Sequence, residues 1–224
     1  MAISDSKSKP TMGFLTVVEH SQYGLFGGYL ILNMAGRPLE FHCTAPIKPN
    51  RAQEILYGPT LESFLYGEQI GQTLIGHAGA TPLVICTDRE PALAAREHVP
   101  MPVVLVLPPG PENGDGLNFH GDCPNFRGDC PNFRVSENGT VPFDAINEKT
   151  SSESGRFFRV DAAHRGPRLV TFQLGRNRLA LPERADEDRR LVAERLTDLA
   201  DSFDLAEPFQ RIRDAIEEAQ QAVR

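Results

Sequence analysis

Residues 82–107 read PLVICTDREPALAAREHVPMPVVLVL, and this stretch decides the fold class. PLVICT and PVVLVL are continuous apolar runs with the length of a buried strand. Between them, EPALAAREHV predicts a short helix, with Pro91 near its first turn. A strand, a helix and a strand joined by short connections form a βαβ unit. Residues 82–87 and 102–107 are therefore predicted to be parallel strands of one sheet.

Three more strands are predicted upstream of this unit. GFLTVVE (residues 13–19) and GYLILN (residues 28–33) are rich in β-branched and apolar residues, and LEFHCTAPI (residues 39–47) follows after a tight connection at Gly36. Consecutive strands with short links form an antiparallel meander. The chain is therefore predicted to be an α/β protein with a mixed sheet.

The third of these strands alternates apolar and polar side chains. The apolar set is Leu39, Phe41 and Cys43, and the polar set is Glu40, His42 and Thr44. A period of two is typical of a strand with one face buried. We expect the apolar set to face the core.

Helical spacing begins after Pro49, with Asn50 as a candidate N-cap. Gly58 and Pro59 break or kink this first helix, and a second helical stretch follows over residues 60–75. Glu68 falls on or beside its apolar side, where an edge position is the more common arrangement for a carboxylate.

This order of elements, over residues 13–107, resembles the RNase H-like fold. The matching stretches are VVEHSQYGLFGGYLIL, PNRAQEIL and VICTD. In that family, carboxylates at the end of the first strand, on the first helix and after the fourth strand hold two divalent ions. The resemblance places Glu19 and Asp88 at the first and third positions, and Glu54 at the middle one, or Gln53 with a shift of one residue. It implies a nuclease that uses Mg²⁺ or Mn²⁺.

Residues 108–155 are polar and rich in turn-forming residues, and we interpret them as a long loop. The heptapeptide GDCPNFR occurs twice in succession in this loop, over residues 121–134. The duplication places His120, Cys123 and Cys130 close together in sequence, and these are candidate Zn²⁺ ligands.

Zinc needs a fourth ligand from elsewhere in the chain. Cys86, Cys43 and His42 are the candidates. The alternative interpretation is a tandem duplication without a role, tolerated because insertions in an exposed loop cost little stability.

Residues 156–224 are predicted to form a basic β-hairpin segment followed by two helices. RFFRVD and RLVTFQL are expected to pair, and NRLALP to add a third strand. Arginines accompany phenylalanines here, as in proteins that bind single-stranded nucleic acid. The candidate nucleic-acid-binding residues are Arg156, Arg159, Arg168, Arg176 and Arg178.

Each C-terminal helix carries one apolar stripe. The first stripe is Val192, Leu196, Leu199 and Phe203, and the second is Phe209, Ile212, Ile216, Ala219 and Val223. Such helices either pack on the body of the protein or form a seam with a protein partner or a second copy. Packing on the core is the commoner outcome, and the second possibility predicts self-association.

Composition excludes several classes of protein. The 224 residues carry a formal net charge of −7, which is unlike a chain built as a whole to bind phosphates. No apolar run approaches a membrane span, and residues 1–12 are polar and predicted to be a disordered leader. A cytoplasmic location with free thiols follows as the expectation. The chain has no nucleophile elbow, Walker loop or dinucleotide fingerprint.

These observations favour a non-enzymatic binding or assembly module on an RNase H-like scaffold. The alternatives are a divalent-metal-dependent nuclease using Glu19, Glu54 and Asp88, and a zinc-binding protein using the duplicated loop. The three functions need different residues, so they can be tested separately.

Deleting residues 128–134 removes one copy of the heptapeptide. Because an exposed loop tolerates changes in length, we expect the melting temperature and the zinc content of the variant to equal those of the parent protein. Thermal unfolding and elemental analysis measure both quantities. A variant that unfolds or loses bound zinc would contradict the interpretation of the duplication as a tolerated insertion.

Overall fold

A computed structural model describes residues 10–108, 168–199 and 201–221 of the chain. Seven strands lie in these ranges. They are β1 (Thr11–His20), β2 (Gly24–Asn33), β3 (Pro38–Cys43), β4 (Val84–Thr87), β5 (Val103–Leu107), β6 (Leu169–Leu174) and β7 (Asn177–Pro182). They form one open sheet of order β3-β2-β1-β4-β5-β7-β6.

The pairing confirms the predicted mixed sheet. β1, β2 and β3 are antiparallel neighbours, which is the expected meander. β4 pairs in parallel with β5, as the βαβ pattern predicts. On its other side, β4 also pairs in parallel with β1. β1 begins at Thr11, two residues before the predicted start, because Thr11 and Met12 continue the pairing with β2.

Most helices lie where the sequence predicts them. They are α1 (Arg51–Tyr57), α2 (Leu61–Ser63), a π-helix (Phe64–Gln72), α3 (Thr73–His77), a 3₁₀ crossover helix between β4 and β5 (Glu90–Glu97), α4 (Asp186–Leu196) and α5 (Glu207–Gln221). Asn50 caps α1, since its side chain accepts from the Gln53 amide and the Gln53 side chain accepts in return from the Asn50 amide. A single 3₁₀ turn at Gly58–Thr60 ends α1, and Glu68 in the π-helix is exposed.

Helices cover both faces of the sheet, and the alternation of strand residues divides the core in two. Leu15 and Val17 of β1 pack with the π-helix and the crossover helix, on what we call the π-helix face. Met12 and Phe14 of the same strand pack with α4 and α5, on what we call the α5 face. β1 is therefore buried from both sides, like a strand of a parallel sheet.

Two adjacent glycines of β2 let both layers approach the sheet. A Cβ on Gly27 would lie 2.2 Å from Cγ2 of Ile70 in the π-helix. A Cβ on Gly28 would lie 2.3 Å from Cγ2 of Ile212 in α5. Because neighbouring strand residues point to opposite faces, the pair accommodates one helix on each side. The FGGY sequence is thus a packing feature of the sheet.

A third glycine fits the π-helix against the crossover helix. A Cβ on Gly67 would lie 2.8 Å from the backbone nitrogen of Ala95 and 2.6 Å from Cβ of Ala94. Both helices are unusual types, and their small residues allow this close contact. The contact brings the middle of the crossover helix against the π-helix.

The predicted third strand of the C-terminal segment is confirmed. β6, which contains LVTFQL, pairs with β7, which is the NRLALP segment. β7 also pairs with β5 and joins the hairpin to the sheet. The RFFRVD segment lies outside the described residues, so its pairing with RLVTFQL stays a prediction.

Both C-terminal helices pack on the α5 face. Val192 and Leu196 of α4 and Phe209, Ile212 and Ile216 of α5 are buried there. Ala219 is exposed and Val223 lies outside the described residues. Self-association through these helices stays a prediction, and it would have to use their exposed sides.

The expectation for β3 is wrong in one respect. Phe41 is 39% exposed and Cys43 is also exposed, whereas Glu40 and His42 are half-buried. α5 packs across β1 and β2, so Phe41 and Cys43 lie on the α5 face beyond the helix. On the other face, the turn after α3 covers Glu40, which accepts from the Gly79 amide at 2.9 Å. The strand does alternate as predicted, but its apolar side faces solvent.

We expect Gly27→Ala and Gly28→Ala each to lower the free energy of unfolding by about 1–3 kcal/mol, because the added methyl overlaps a branched isoleucine. Gly76→Ala is the control: a Cβ added to this helical glycine would meet no atom within 4 Å, and the change should stabilise by about 0.5–1 kcal/mol. Urea unfolding measures all three. Equal effects at the three positions would contradict the packing role of the β2 glycines.

Candidate functional site

Glu19 lies near the carboxyl end of β1 and is bound by the π-helix. The Tyr66 hydroxyl donates a hydrogen bond to Oε1 of Glu19 at 2.6 Å. Tyr66 is buried. Burial is the main cause that raises the pKa of its phenol, and the hydrogen bond to Glu19 raises it further. Tyr66 therefore stays protonated and holds the Glu19 carboxylate on the π-helix face.

Asp88 follows β4 directly and is bound by α5. The Arg213 guanidinium donates to Oδ2 of Asp88, and the Asp88 side chain is only 15% exposed. Its other oxygen, Oδ1, is buried without a hydrogen-bond partner among the described residues. The carboxylate is thus committed to an ion pair on the α5 face.

The structure does not bring Glu19 and Asp88 together. Leu15 is aligned with Thr87 in the parallel β1–β4 pair, so the next residues in line are Thr16 and Asp88. Glu19 is three residues further along β1, a displacement of about 10 Å at the usual strand rise. The two carboxylates also bind helices on opposite faces, which follows from strand alternation.

Glu54 lies on α1, a helix without buried residues. Its carboxylate pairs with Arg51 at 3.0 Å on the exposed surface. Gln53, the alternative residue for this position, is occupied in the capping box with Asn50. Across residues 10–108, 168–199 and 201–221, no three His, Cys, Asp or Glu side chains are grouped so that they could hold a metal ion.

Three of the five candidate nucleic-acid-binding arginines lie in the described ranges. Arg168 is exposed, Arg176 is 3.8 Å from Asp204, and Arg178 donates to the Pro108 carbonyl at 3.5 Å. Arg156 and Arg159 lie outside the described residues.

A cavity of about 130 Å³ is lined by Arg176, Arg178 and Asp204, among others. The acidic side chain in its wall works against phosphate binding.

The candidate zinc ligands His120, Cys123 and Cys130 all lie outside the described residues, so the zinc site stays a prediction. Of the candidate fourth ligands, Cys86 is fully buried, and burial raises the pKa of its thiol to about 12. His42 is hydrogen-bonded to Glu40 at 3.1 Å. Cys43 is exposed on β3 and is the more accessible thiol of the two.

The feature that sequence reasoning missed is the free edge of the sheet at β3. We call the β3 edge the outward-facing backbone of this strand together with the side chains of Leu39, Phe41 and Cys43. Leu39 is 52% exposed, and it lies where the register with β2 shifts. The period-two pattern of β3 shows that its two sides differ. It does not show that the side of Phe41 is exposed, because that depends on how far α5 extends across the sheet.

No strand among the described residues pairs with the outer side of this edge. The Thr44 amide donates to the Gly27 carbonyl at 3.0 Å, so the even-numbered residues of this segment turn their polar groups toward β2. The amides and carbonyls of Phe41 and Cys43 consequently point away from the sheet. Such a row of free groups is a ready template for another strand.

A second apolar surface lies on α1. Ile55 is 68% exposed and Leu56 is 81% exposed, and they are adjacent on a helix that buries none of its residues. The helical spacing in the sequence assigns both residues to an apolar side. No contact with the sheet covers them in the described part of the chain.

No helix within the described ranges is both long and apolar enough to cross a membrane. Comparison with known proteins gives no match to a protein-family model, a curated protein or a solved structure.

Removing Arg213 should show how much its ion pair with Asp88 contributes to the stability of the protein. We expect Arg213→Met to lower the free energy of unfolding by about 1–3 kcal/mol, because it leaves a mostly buried carboxylate without its cation. Adding Asp88→Asn to this variant should restore part of the loss. Arg51→Met, which breaks the exposed pair with Glu54, should change stability by less than about 0.5 kcal/mol.

Denaturant unfolding of these variants, of Asp88→Asn alone and of the parent protein measures the differences. Strictly additive effects of Arg213→Met and Asp88→Asn would mean that the two side chains do not interact in solution.

Proposed function

We propose that this protein is a non-enzymatic binding or assembly module that engages a protein partner through the β3 edge. The observation that carries the proposal is the coincidence of a free strand edge with exposed apolar side chains, Phe41 above all. Aromatic residues are enriched where protein surfaces bind each other. An extended segment can add to such an edge, with main-chain hydrogen bonds supplying affinity and side chains supplying specificity.

The order of the first five strands supports an RNase H-like scaffold for this module. β3, β2 and β1 form the antiparallel part, and β4 and β5 add in parallel. The hairpin β6–β7 extends the sheet beyond β5 on the side opposite β3. A shared strand order is an argument from analogy, and it does not carry catalytic function with it.

The positions of the carboxylates favour binding over nuclease activity. Two-metal chemistry needs ions about 4 Å apart, held by carboxylates that converge on them. Glu19 and Asp88 are instead held by Tyr66 and Arg213 on different faces of the sheet. We accordingly propose that this scaffold does not cleave phosphodiesters with Mg²⁺ or Mn²⁺.

A cytoplasmic location is part of the proposal. The exposed Cys43 thiol and the buried Cys86 thiol are both free, as is usual in a reducing compartment. Nucleic acid is not the partner that the described surface favours, because Asp204 lies beside Arg176.

A photoreactive residue at position 41 tests the proposed surface. Benzoylphenylalanine in place of Phe41 should form light-dependent adducts with the binding partner in a cytosolic extract. The same residue at Gln173, an exposed position on β6 at the other end of the sheet, is the matched control and should form few.

Competition with unlabelled protein shows whether the adducts come from specific binding at the β3 edge. Excess unlabelled wild-type protein should suppress the adducts that position 41 forms with a different protein, and excess Phe41→Lys protein should not. If labelling is equal at positions 41 and 173, or if the Phe41→Lys protein competes as well as the wild type, the β3 edge is not the binding surface.

A further inference from the structure

The polar side chains of strand β3 form a pattern that is complementary to itself. Glu40 and His42 lie two residues apart on the π-helix face, and Phe41 lies between them on the α5 face. In an antiparallel pair of identical strands about a two-fold axis, each residue faces one fixed residue of the other copy. The position of the axis therefore decides which polar side chains meet.

Among the registers with the axis at Phe41, His42 or Cys43, only the first places a carboxylate opposite an imidazole, which is a hydrogen-bond donor for it. With the axis at Phe41, Glu40 faces His42 of the second copy, and the same contact occurs twice. With the axis at His42, two histidines face each other and Glu40 faces Thr44. With the axis at Cys43, His42 faces Thr44 and Glu40 has no basic residue opposite. The hydrogen-bonding pattern thus favours the axis at Phe41.

The backbone also fits this register. Phe41 turns its amide and carbonyl outward, as inferred above from the Thr44–Gly27 hydrogen bond. Two copies related by an axis at Phe41 would exchange hydrogen bonds between these groups, which makes position 41 a hydrogen-bonded pair. The two exposed Phe41 rings would then lie side by side on the α5 face, where aromatic cross-strand pairs are stabilising.

We propose that the partner bound at the β3 edge is a second copy of this chain, added antiparallel with the two-fold axis at Phe41. The inference rests on the proposed function and names the partner of that same surface. It joins two seven-stranded sheets through their β3 strands into one continuous sheet. Leu39 lies next to Cys43 of the second copy at each end of the paired segment, where the shift of register with β2 limits its length.

The dimer should be weak. A single pair of six-residue strands buries less surface than the roughly 1,200 Å² at the lower limit of stable interfaces. Sedimentation velocity of the full chain should therefore show a sedimentation coefficient that rises with protein concentration. Phe41→Lys should remain monomeric over the same range, whereas Gln173→Lys on β6 should behave like the wild type.

Cysteine cross-linking tests the register. Phe41→Cys, in a chain with Cys43→Ser, Cys123→Ser and Cys130→Ser, retains only the buried Cys86 as a second thiol. Hydrogen-bonded partners have Cα atoms about 5.5 Å apart, within the range that a disulfide spans. Oxidation with copper–phenanthroline should produce a covalent dimer well above the level seen for Gln173→Cys in the same background.

A charge exchange gives a second and independent measurement. Glu40→Lys places a lysine opposite His42, and His42→Glu places two glutamates opposite each other, so each variant alone should be monomeric. In a mixed dimer, the introduced lysine faces the introduced glutamate and the native His42 faces the native Glu40, so mixing the two variants should restore association. Circular dichroism shows whether both variants are folded.

The outcomes separate the proposals. A wild-type monomer at all concentrations, with Phe41→Cys cross-linking no better than the control, overturns self-pairing. If photolabelling at position 41 still captures a different protein with the expected competition, the proposed function stands without self-pairing; if that labelling also fails, both are wrong. Association that survives in each charge variant, or that mixing fails to restore, rules out the axis at Phe41.

Discussion

The close approach of one helix to each face of β2, at Gly27 and Gly28, is the constraint on which the rest of the structure depends. These two residues lack side chains where Ile70 and Ile212 contact the sheet from opposite sides. Because each helix is so close, strands β1 and β2 are buried on both faces, and the core divides into two separate clusters. Alternation assigns the buried apolar side chains of the other strands to one or the other of these clusters.

That division determines what the carboxyl end of the parallel strands can do. Glu19 falls on the π-helix face and meets a buried tyrosine, whereas Asp88 falls on the α5 face and meets an arginine. An RNase H-like metal site would need both carboxylates on one side. Instead, Tyr66 of the π-helix binds Glu19 and Arg213 of α5 binds Asp88, each on its own face.

Much of the fold could be predicted from the sequence, because the strand and helix patterns are local. The apolar runs of β4 and β5 flank the crossover helix, and the stripe from Phe209 to Ile216 identifies a helix with one buried side. The partners of Glu19 and Asp88 could not be predicted, since Tyr66 and Arg213 are 47 and 125 residues away in the chain.

The exposure of Phe41 could not be predicted either, because it depends on a helix that is distant in the chain. Period-two alternation shows that two sides of a strand differ, but the extent of the neighbouring helix decides which side meets solvent. The π-helix and the 3₁₀ crossover helix were also beyond sequence patterns. Their helical character follows from the spacing of apolar residues, but that spacing does not distinguish a π-helix or a 3₁₀ helix from an α-helix.

In the described part of the chain, the edge of β3 combines outward-facing main-chain groups with exposed apolar side chains. Hydrogen exchange of individual backbone amides, followed as the protein concentration is raised, tests its role most directly. The amides of Phe41 and Cys43 should exchange rapidly in dilute protein and become protected on association, while those of Glu40 and His42 should stay protected throughout. Exchange at Phe41 and Cys43 that is independent of concentration would contradict the role of this edge in association.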